Sequence, residues 1–417
     1  MKIAMVSEHA SPLAALGGVD AGGQNVHVAA LSAALAGRGH DIRVYTRRDD
    51  PALPDRVRVQ PRLEVVHVNA GPPCAVPKDE LLPFIGDLAA GIGRDFERVA
   101  PDIVHAHFWM SGLAALEAAA AGTGPRVPVV QTFHALGTVK RRHQGKADTS
   151  PGERRWLEPA VGRSADRIIA TCSDEVFELK AMGIDAAKVS IAPCGVALEF
   201  FTPVGPAATR KHRHRILSVG RLVPRKGVDT VLQALALLRD RGFPDTELLI
   251  VGGKGNAGSG ADPEATRLAL LAAELGLGEH VTFQGQVPRE DMPGIFRSAD
   301  AVVCTPWYEP FGIVPLEAMA CGIPVVAAAV GGLADTVLDQ ATGIHVPPRC
   351  PEATADALAM LLSSPRLRQE LGAAGRTRAA ARYSWDRVAA DSEKAYRLTL
   401  AARAAGSSTA ALKGAAL

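Results

Sequence analysis

The amino-acid sequence predicts an α/β protein built from two Rossmann-like βαβ domains that face a central cleft. Short apolar runs, typical of buried strands, alternate with helical patterns along most of the chain, which favours mostly parallel sheets. The chain has 417 residues, which is long for one domain and sufficient for two. A basic, proline-containing stretch at 197–215 interrupts the alternation and indicates a linker between two halves.

The composition limits the classes of function. A formal net charge of +2 argues against a protein that binds nucleic acid through bulk electrostatics. Six cysteines are scattered without a C-x-x-C pair, which indicates buried, reduced thiols. The N-terminal stretch lacks the pattern of a secretion signal, and no apolar run reaches transmembrane length. We therefore expect a soluble cytoplasmic enzyme with no nucleic-acid partner and no integral membrane segment.

The first half follows the order of a mononucleotide-binding fold. A strand at 2–7 leads into a glycine-containing loop at 17–23, a helix at 24–38 and a strand at 41–46. Further strands are predicted at 57–68 (one or two strands), 102–107, 129–134 and 167–172. The loop sequence GGVDAGG does not match G-x-G-x-x-G, so a dinucleotide-binding dehydrogenase is disfavoured.

The second half repeats the alternation after the linker. Strands are predicted at 216–220, 247–252, 281–285, 301–305 and 325–329, and helices at 228–241, 263–275 and 290–297. A last helical run follows at 388–402. The predicted domains are therefore 1–198 and 199–384, followed by a terminal segment, 385–417, that consists of a helix and a disordered tail.

One stretch carries the strongest signal for a ligand site. In TPWYEPFGIVPLEAMACGIPVVAAAVGG, residues 305–332, a strand runs into a polar turn and then a short helix that starts at Pro315. A loop that follows a parallel strand faces the ligand crevice of an α/β sheet. Free backbone N–H groups at the start of the helix make an anion site, and they belong to Phe311, Gly312, Ile313 and Val314.

Two carboxylates, Glu309 and Glu317, flank this turn eight positions apart. A full helix would separate them by roughly 12 Å, which does not suit the close acid–nucleophile pair of a retaining glycosidase. The spacing suits two points along one extended ligand that carries hydroxyl groups. The alternative is a solvated Glu309 and a Glu317 that only complements the helix dipole.

This motif and its surroundings resemble the signature of the retaining GT-B glycosyltransferases of family 4, in the branch of the mycothiol glycosyltransferases and sucrose-phosphate synthases. The resemblance implies a terminal helix that crosses back to the first domain. It implies transfer of a sugar from a nucleotide-diphosphate donor to a hydroxyl of a small polar acceptor. The donor expected first is a UDP-sugar. It implies no cofactor and no metal, and no D-x-D motif for a divalent ion stands out.

Three alternatives to this function stay open. They are a GDP-sugar-dependent transferase, a sugar-nucleotide 2-epimerase of the same fold, and a non-catalytic module that binds a nucleotide sugar. A homodimer also stays open.

The resemblance assigns catalytic roles to four residues. Arg221 and Lys226 would neutralise the diphosphate leaving group, because a guanidinium fork and an ammonium both bind phosphate oxygens. Glu309 and His134 would bond hydroxyls of the transferred sugar. Taken singly, these residues have plainer explanations as surface charges and a structural histidine.

The remaining donor positions come from the same resemblance. Glu317 would hold the ribose, Val287 would lie beside the nucleobase, and Gly23 would let backbone approach the donor phosphate. Some relatives have an arginine at the position of Val287, and that arginine stacks on uracil. This chain has no arginine there, so the identity of the nucleobase is less well defined. The plainer explanation for the glycine is a tight turn.

Asn25 matches a position that faces the acceptor in the family. In the branch that glucosaminylates inositol phosphate, the phosphate-binding positions are matched by Lys78, the loop of Trp109 and Arg154. Two neighbouring positions depart from that pattern. Phe108 replaces a tyrosine and Ala135 replaces a threonine, so two hydroxyl donors are lost, at about 1–3 kcal/mol of phosphate recognition each. The expected acceptor is therefore a cyclitol, sugar or polyol, with or without phosphate.

Overall fold

The chain forms two compact units in a computed structural model that describes residues 1–14, 22–122, 124–253 and 262–414. The first unit comprises Met1–Pro193 and Trp385–Leu417, and the second comprises Cys194–Ser384. The boundary predicted after residue 198 lies a few residues beyond this division. Residues 194–198 belong to the second unit because the backbone N–H of Val196 donates to the carbonyl of Tyr383 at 2.7 Å.

The described part of the first unit contains an eight-stranded sheet. Its strands are β1 (Lys2–Val6), β2 (Asp41–Arg47), β3 (Arg56–Gln60), β4 (Leu63–Val68), β5 (Ile103–His107), β6 (Val129–Thr132), β7 (Arg167–Ala170) and β8 (Val189–Ile191). They lie in the order β3-β4-β2-β1-β5-β6-β7-β8. Neighbours are parallel except β3 and β4, which pair antiparallel around a turn where Arg62 has a positive φ.

Six helices of the first unit precede the second unit in the chain. They are α1 (Gly23–Gly37), α2 (Ile85–Val99), α3 (Trp109–Ala120), α4 (Gly137–Gln144), α5 (Arg154–Ser164) and α6 (Ser173–Ala181). Because α3 follows β5 and α4 follows β6, both helices begin at the carboxyl edge of the sheet. Polar residues at the ends of β5 and β6 therefore lie together, where ligands of α/β proteins bind.

In the second unit, the described residues form a six-stranded sheet whose strands are all parallel. Its strands are β9 (His214–Val219), β10 (Thr246–Val251), β11 (Val281–Gly285), β12 (Ala301–Cys304), β13 (Val325–Ala328) and β14 (Gly343–Val346). They lie in the order β11-β10-β9-β12-β13-β14. The sequence predicted five of these strands and missed β14, a four-residue edge strand.

The helices of the second unit pack against its sheet and contribute to its apolar core. They are α7 (Val228–Asp240), α8 (Pro263–Glu274), α9 (Met292–Arg297), α10 (Ile313–Ala320), α11 (Gly332–Thr336), α12 (Pro351–Ser363) and α13 (Pro365–Arg382). Leucines of α7 and α12 pack with Ile216 of β9 and with Leu248 and Ile250 of β10 in one apolar cluster. The helix predicted to start at Pro315 starts two residues earlier, because Gly312 caps it with φ of +93°.

The final helix, α14 (Trp385–Gly414), packs in the core of the first unit. Val388, Ala395 and Tyr396 are buried among strand and α1 residues of that unit. The tail predicted to be disordered instead lies within α14, which continues to Gly414 through an alanine-rich sequence. Among the described residues, no helix has both the length and the apolarity needed to cross a membrane.

The backbone segments at the carboxyl ends of β9 and β10 pack closely together. A Cβ added to Gly252, whose φ is +127°, would lie 1.9 Å from the carbonyl oxygen of Gly220. Only glycine allows this approach without a shift of the backbone. The close contact fixes the position of the loop that carries Arg221.

We predict that Gly252→Ala destabilises the second unit by about 1–3 kcal/mol, the cost of a strained non-glycine residue. Gly278→Ala is the matched control, because its Cβ would meet nothing within 4 Å. That control is expected to change stability by less than about 0.5 kcal/mol. Urea unfolding measures both, and equal midpoints for the two variants would contradict the packing argument.

Candidate active site

Two helices of the second unit begin directly after the loops that carry the predicted donor residues. Gly227 caps α7 and Gly312 caps α10, and a glycine cap has no side chain to bond the first N–H groups. In α7, Asp229 Oδ1 accepts from the backbone N–H of Thr230 at 2.9 Å. Such helix starts attract anions. Ile313 and Val314 are partly exposed at the start of α10, whereas the side chain of Phe311 is 8% exposed.

The loop that carries Glu309 is held by backbone contacts. Gly332 N–H donates to the carbonyl of Glu309 at 3.0 Å. A Cβ on Gly331 would lie 2.1 Å from that same carbonyl oxygen, and a Cβ on Gly227 would lie 2.1 Å from the carbonyl oxygen of Thr305. Two glycines therefore let neighbouring loops pack against both ends of the Glu309 loop.

An ion pair joins Lys226 and Glu309. The Lys226 Nζ donates to Glu309 Oε2, and the two side chains are 23% and 13% exposed. Burial alone would raise the pKa of Glu309, but the positive charges of Lys226, Arg225 and Arg221 outweigh burial and lower it. Glu309 is thus a largely buried carboxylate that stays ionised at neutral pH.

Arg221 and Arg225 complete this cluster of charges. Arg221 is exposed in the loop after β9. Arg225 donates to the carbonyl of Tyr308 at 3.4 Å, and its own carbonyl accepts from the backbone N–H of Trp307 at 2.8 Å. The sequence analysis did not select Arg225, although it directly precedes Lys226. The cluster places three cations and one carboxylate at the carboxyl edge of the sheet.

Glu317 has the opposite electrostatic setting. It lies within α10 and is partly exposed, and burial of its carboxyl group raises the pKa to about 7, against the attraction of Arg289. Arg289 also lies over the rings of Phe200 and Phe201, at 5.4 and 5.7 Å from their centroids. Val287, expected beside the nucleobase, is partly exposed, and Arg289, two positions later, was not among the predicted site residues.

The first unit carries a cluster of histidines at the carboxyl ends of β5 and β6. His107 Nδ1 and His134 Nε2 are 2.9 Å apart, with the rings stacked at 25°. His27 of α1 meets His134 edge-on at 4.9 Å between ring centroids. Burial lowers the pKa of His27 to about 4, and burial with neighbouring imidazoles holds the pKa values of His107 and His134 well below the ordinary value. The cluster is therefore neutral.

The same imidazoles have the arrangement of metal ligands. Within the described residues, ligand atoms of His27, His107 and His134 all lie within 4.8 Å of one another. A metal ion there would have to replace the hydrogen bond between His107 and His134. That hydrogen bond favours a set of neutral, mutually bonded imidazoles.

His134 itself lies in a strained turn. Its φ is +61°, and Ala135 N–H donates to the carbonyl of Phe133 at 2.7 Å around it. This is a γ-turn of the less common, strained form. Strain of this kind is concentrated at functional sites.

The predicted acceptor residues lie near this cluster, but three of them are buried: Asn25 is 3%, Trp109 is 1% and Arg154 is 2% exposed. Asn25 accepts from the N–H of Gly22 at 3.1 Å and donates to the carbonyl of Ser11 at 3.0 Å, so it organises the start of α1. Gly23 is the first residue of α1. Residues 17–21 of the predicted glycine loop lie outside the described residues.

Arg154 forms a buried ion pair with Glu158. Its Nε and Nη2 donate to Glu158 Oε1 at 3.0 and 2.7 Å, and Nη2 also donates to the carbonyl of Ala135 at 2.6 Å. The guanidinium lies 5.1 Å from the ring centroid of Phe108. Arg154 therefore supports the turn after His134, and its charge is balanced within the first unit.

Lys78 lies on a turn that connects to this network. It is partly exposed, and its neighbour Asp79 accepts from Thr149 Oγ1 at 2.6 Å. The next residue, Ser150, accepts from Arg154 Nη1 at 3.3 Å. The structure thus brings Lys78 and Arg154, distant in sequence, to one end of the first sheet.

Comparison with known proteins identifies the family. Residues 21–200 match the family model described as Glycosyltransferase Family 4, and residues 206–378 match that of Glycosyl transferases group 1. A D-inositol 3-phosphate glycosyltransferase from Kribbella flavida is 37% identical over 410 residues, which cover 95% of either chain. The chain belongs to the family 4 glycosyltransferases.

Two further relatives of this family 4 glycosyltransferase agree. A D-inositol 3-phosphate glycosyltransferase from Xylanimonas cellulosilytica is 36% identical over 406 residues, covering 93% of this chain and 94% of the relative. The structure of a sucrose-phosphate synthase from Thermosynechococcus elongatus matches with a TM-score of 0.87 and 32% identity, over 96% of this chain and 99% of that one. The predicted GT-B fold and the predicted transferase class are confirmed.

We predict that Glu317 makes the stability of this glycosyltransferase depend on pH. Its raised pKa means that the stability associated with the neutral carboxyl is present at low pH and is lost as the pH rises through about 7. Glu317→Gln stays neutral, so its Tm relative to the natural protein should rise from about pH 5 to about pH 8. We expect a gain of roughly 2–4 °C, as about 1 kcal/mol would give in a domain of this size.

Glu279→Gln, at an exposed position of the same unit, is the control for loss of a carboxylate. Calorimetry in buffers across this pH range measures the three proteins. A Tm difference between Glu317→Gln and the natural protein that is the same at every pH would contradict burial of an ionising Glu317.

Proposed function

We propose that this chain is a retaining glycosyltransferase that moves a sugar from a nucleotide-diphosphate donor, UDP-linked in the first place, to a hydroxyl of a small polar acceptor. The observation that carries the proposal is the cluster of Arg221, Arg225 and Lys226 around the ionised Glu309. Cations fixed beside the N-termini of two helices suit a diphosphate, whose negative charge increases as it leaves.

The proposed chemistry needs no protein nucleophile. The bond between the anomeric carbon and the diphosphate oxygen breaks, and a new bond forms on the same face with the acceptor oxygen. The acceptor proton passes to an oxygen of the leaving diphosphate. The protein contributes orientation and stabilisation of the leaving group, the two largest sources of rate in such reactions.

Lys226 and Glu309 would stabilise opposite charges that develop during the reaction: Lys226 the negative charge of the diphosphate, and Glu309 the positive charge at the anomeric carbon. Lys226 would shift part of its interaction from Glu309 to the diphosphate oxygens, and Arg221 would add a second contact. Glu309, held by its backbone, would then accept hydrogen bonds from sugar hydroxyls close to the positive charge at the anomeric carbon. His134 would bond another sugar hydroxyl, and Glu317 the ribose.

The acceptor is proposed from the surroundings of Arg154. Relatives at 36–37% identity are named D-inositol 3-phosphate glycosyltransferases, so a cyclitol is the first class to test. Phe108 and Ala135 offer no hydroxyl, and Arg154 already donates to Glu158, Ser150 and Ala135. We propose a cyclitol or related polyol for which a phosphate group is not required. The cytoplasmic location and the homodimer stay predictions.

The test is an assay of transfer with the natural protein. UDP-, GDP- and ADP-sugars are combined with D-inositol 3-phosphate and with unphosphorylated inositol, and products are followed by mass spectrometry. Transfer that retains the anomeric configuration supports the proposal. A changed sugar nucleotide formed without any acceptor would instead support the 2-epimerase, and binding of donors without turnover would support a binding module.

We predict that Arg221→Ala and Lys226→Ala each lower kcat by about 10²–10³-fold, because each removes a charge that stabilises the leaving diphosphate. Arg366→Ala is the control, since Arg366 pairs with Glu370 in a part of the same unit where its side chain is 88% exposed. Activity should persist in EDTA. A strict requirement for an added divalent ion would contradict the proposed role of the two cations.

We predict that the two carboxylates differ in kinetics. Glu309→Gln should chiefly lower kcat, because a charge near the anomeric carbon matters more in the transition state than in the bound donor. Glu317→Gln should chiefly raise the donor KM, because the ribose changes little during reaction. Steady-state kinetics at varied donor concentration separates the two effects. If both variants change kcat and KM equally, the separate roles proposed for Glu309 and Glu317 are wrong. Trapping of a sugar on Glu309 would overturn the same-face mechanism.

A further inference from the structure

His134 lies at the end of a row of buried histidines whose proton positions the structure constrains. The row runs from Tyr396 of α14 through His105 and His107 to His134. His105 is 1% and His107 is 0% exposed, while His134 is partly exposed. Only His134 of these three imidazoles can therefore meet a ligand directly.

The tautomer of His105 follows from its two partners. The hydroxyl of Thr132 donates its proton to the carbonyl of Ile169 at 3.0 Å, so it can only accept from His105 Nε2, at 2.9 Å. His105 Nε2 therefore carries the proton. Its bare Nδ1 accepts from the hydroxyl of Tyr396 at 2.7 Å.

The tautomer of His107 follows from its unequal surroundings. Its Nδ1 is 2.9 Å from His134 Nε2, and its Nε2 is buried without a hydrogen-bond partner. Buried N–H groups without a partner are rarer than buried acceptors without one. The proton of neutral His107 therefore belongs on Nδ1, from which it is donated to His134 Nε2.

The tautomer of His134 is then determined. Because His134 Nε2 accepts from His107, a neutral His134 must carry its proton on Nδ1. Among the described residues, no hydrogen bond is found for this Nδ1, and the residue is partly exposed. His134 thus offers an N–H donor outward, which is the group that a sugar hydroxyl oxygen or a phosphate oxygen would accept from.

We propose that His107 is a positioning residue that holds His134 in the Nδ1–H form and in its ring orientation, so that His134 can donate to the transferred sugar. The identity of that ligand rests on the function proposed above. The depressed pKa values of both imidazoles are consistent with this, because they keep either ring from becoming cationic at neutral pH. His105 packs against His107 on the side away from His134, with the rings tilted at 41° and their centroids 4.1 Å apart.

The side-chain amides allow a matched pair of variants. Asparagine places an amide near the position of Nδ1 of a histidine, and glutamine places one near Nε2. His107→Asn can therefore still donate to His134 Nε2, whereas His107→Gln places its amide where the structure has no partner for it. Both variants introduce the same functional group, so a difference between them reports on position.

In the transferase assay, we expect His107→Gln to lower kcat by about 10²-fold, the usual effect of misplacing a group at a reacting centre. His107→Asn should retain kcat within a few-fold of the natural protein. The donor KM, and the Kd of the nucleotide by calorimetry, should change little in either variant. Equal kcat values for the two variants, with both folded by circular dichroism, would overturn the proposal.

A second readout does not depend on turnover. Selective ¹⁵N labelling of the 12 histidines, with long-range ¹H–¹⁵N correlation, distinguishes Nδ1–H from Nε2–H imidazoles. His134→Gln identifies the His134 signals by their loss. We expect Nδ1–H at His134 in the natural protein and its loss in His107→Gln. An Nε2–H form of His134 in the natural protein would overturn the proposal even if transferase activity is found, and an absence of any transfer would contradict the proposed function alone.

Discussion

The ion pair between Lys226 and Glu309 is the constraint around which the second unit is arranged. A buried carboxylate without a counter-charge would take up a proton, and its loop would lose the charge that ties it to the cations. The two residues follow β9 and β12, which are neighbours in the sheet, so the strand order brings them together. Gly227 and Gly331 let the backbone come close enough for the pair to form.

The second unit compensates its buried carboxylate with cations, whereas the row of buried histidines in the first unit is kept neutral. His105, His107 and His134 avoid an uncompensated charge because they stay neutral, and each has a hydrogen-bond partner in a neighbouring imidazole or hydroxyl. One unit thus presents fixed charge and the other presents oriented dipoles.

The fold was largely predictable, because buried parallel strands are short apolar runs that alternate with helices. The short edge strand β14 escaped prediction, and the start of α10 was misplaced because the effect of Gly312 depends on its backbone angle. The motif around Glu309 was readable because its residues are close in sequence. Arg289 and His107 could not be selected, because their relation to Glu317 and to His134 arises only from neighbouring loops in the folded chain.

The pairing of Arg154 with Glu158 bears on how acceptors are distinguished. A phosphate that approached this arginine would meet a guanidinium whose charge is already balanced by a carboxylate that is 1% exposed. Gly137 N–H donates to the same carboxylate at 2.7 Å, so Glu158 cannot move away without losing a bond to the start of α4. Removing one partner of a buried pair costs more than the pair itself contributes. Under the proposed function, selection of an acceptor would therefore depend on shape and on neutral hydrogen bonds around Phe108 and Ala135 more than on attraction of a phosphate.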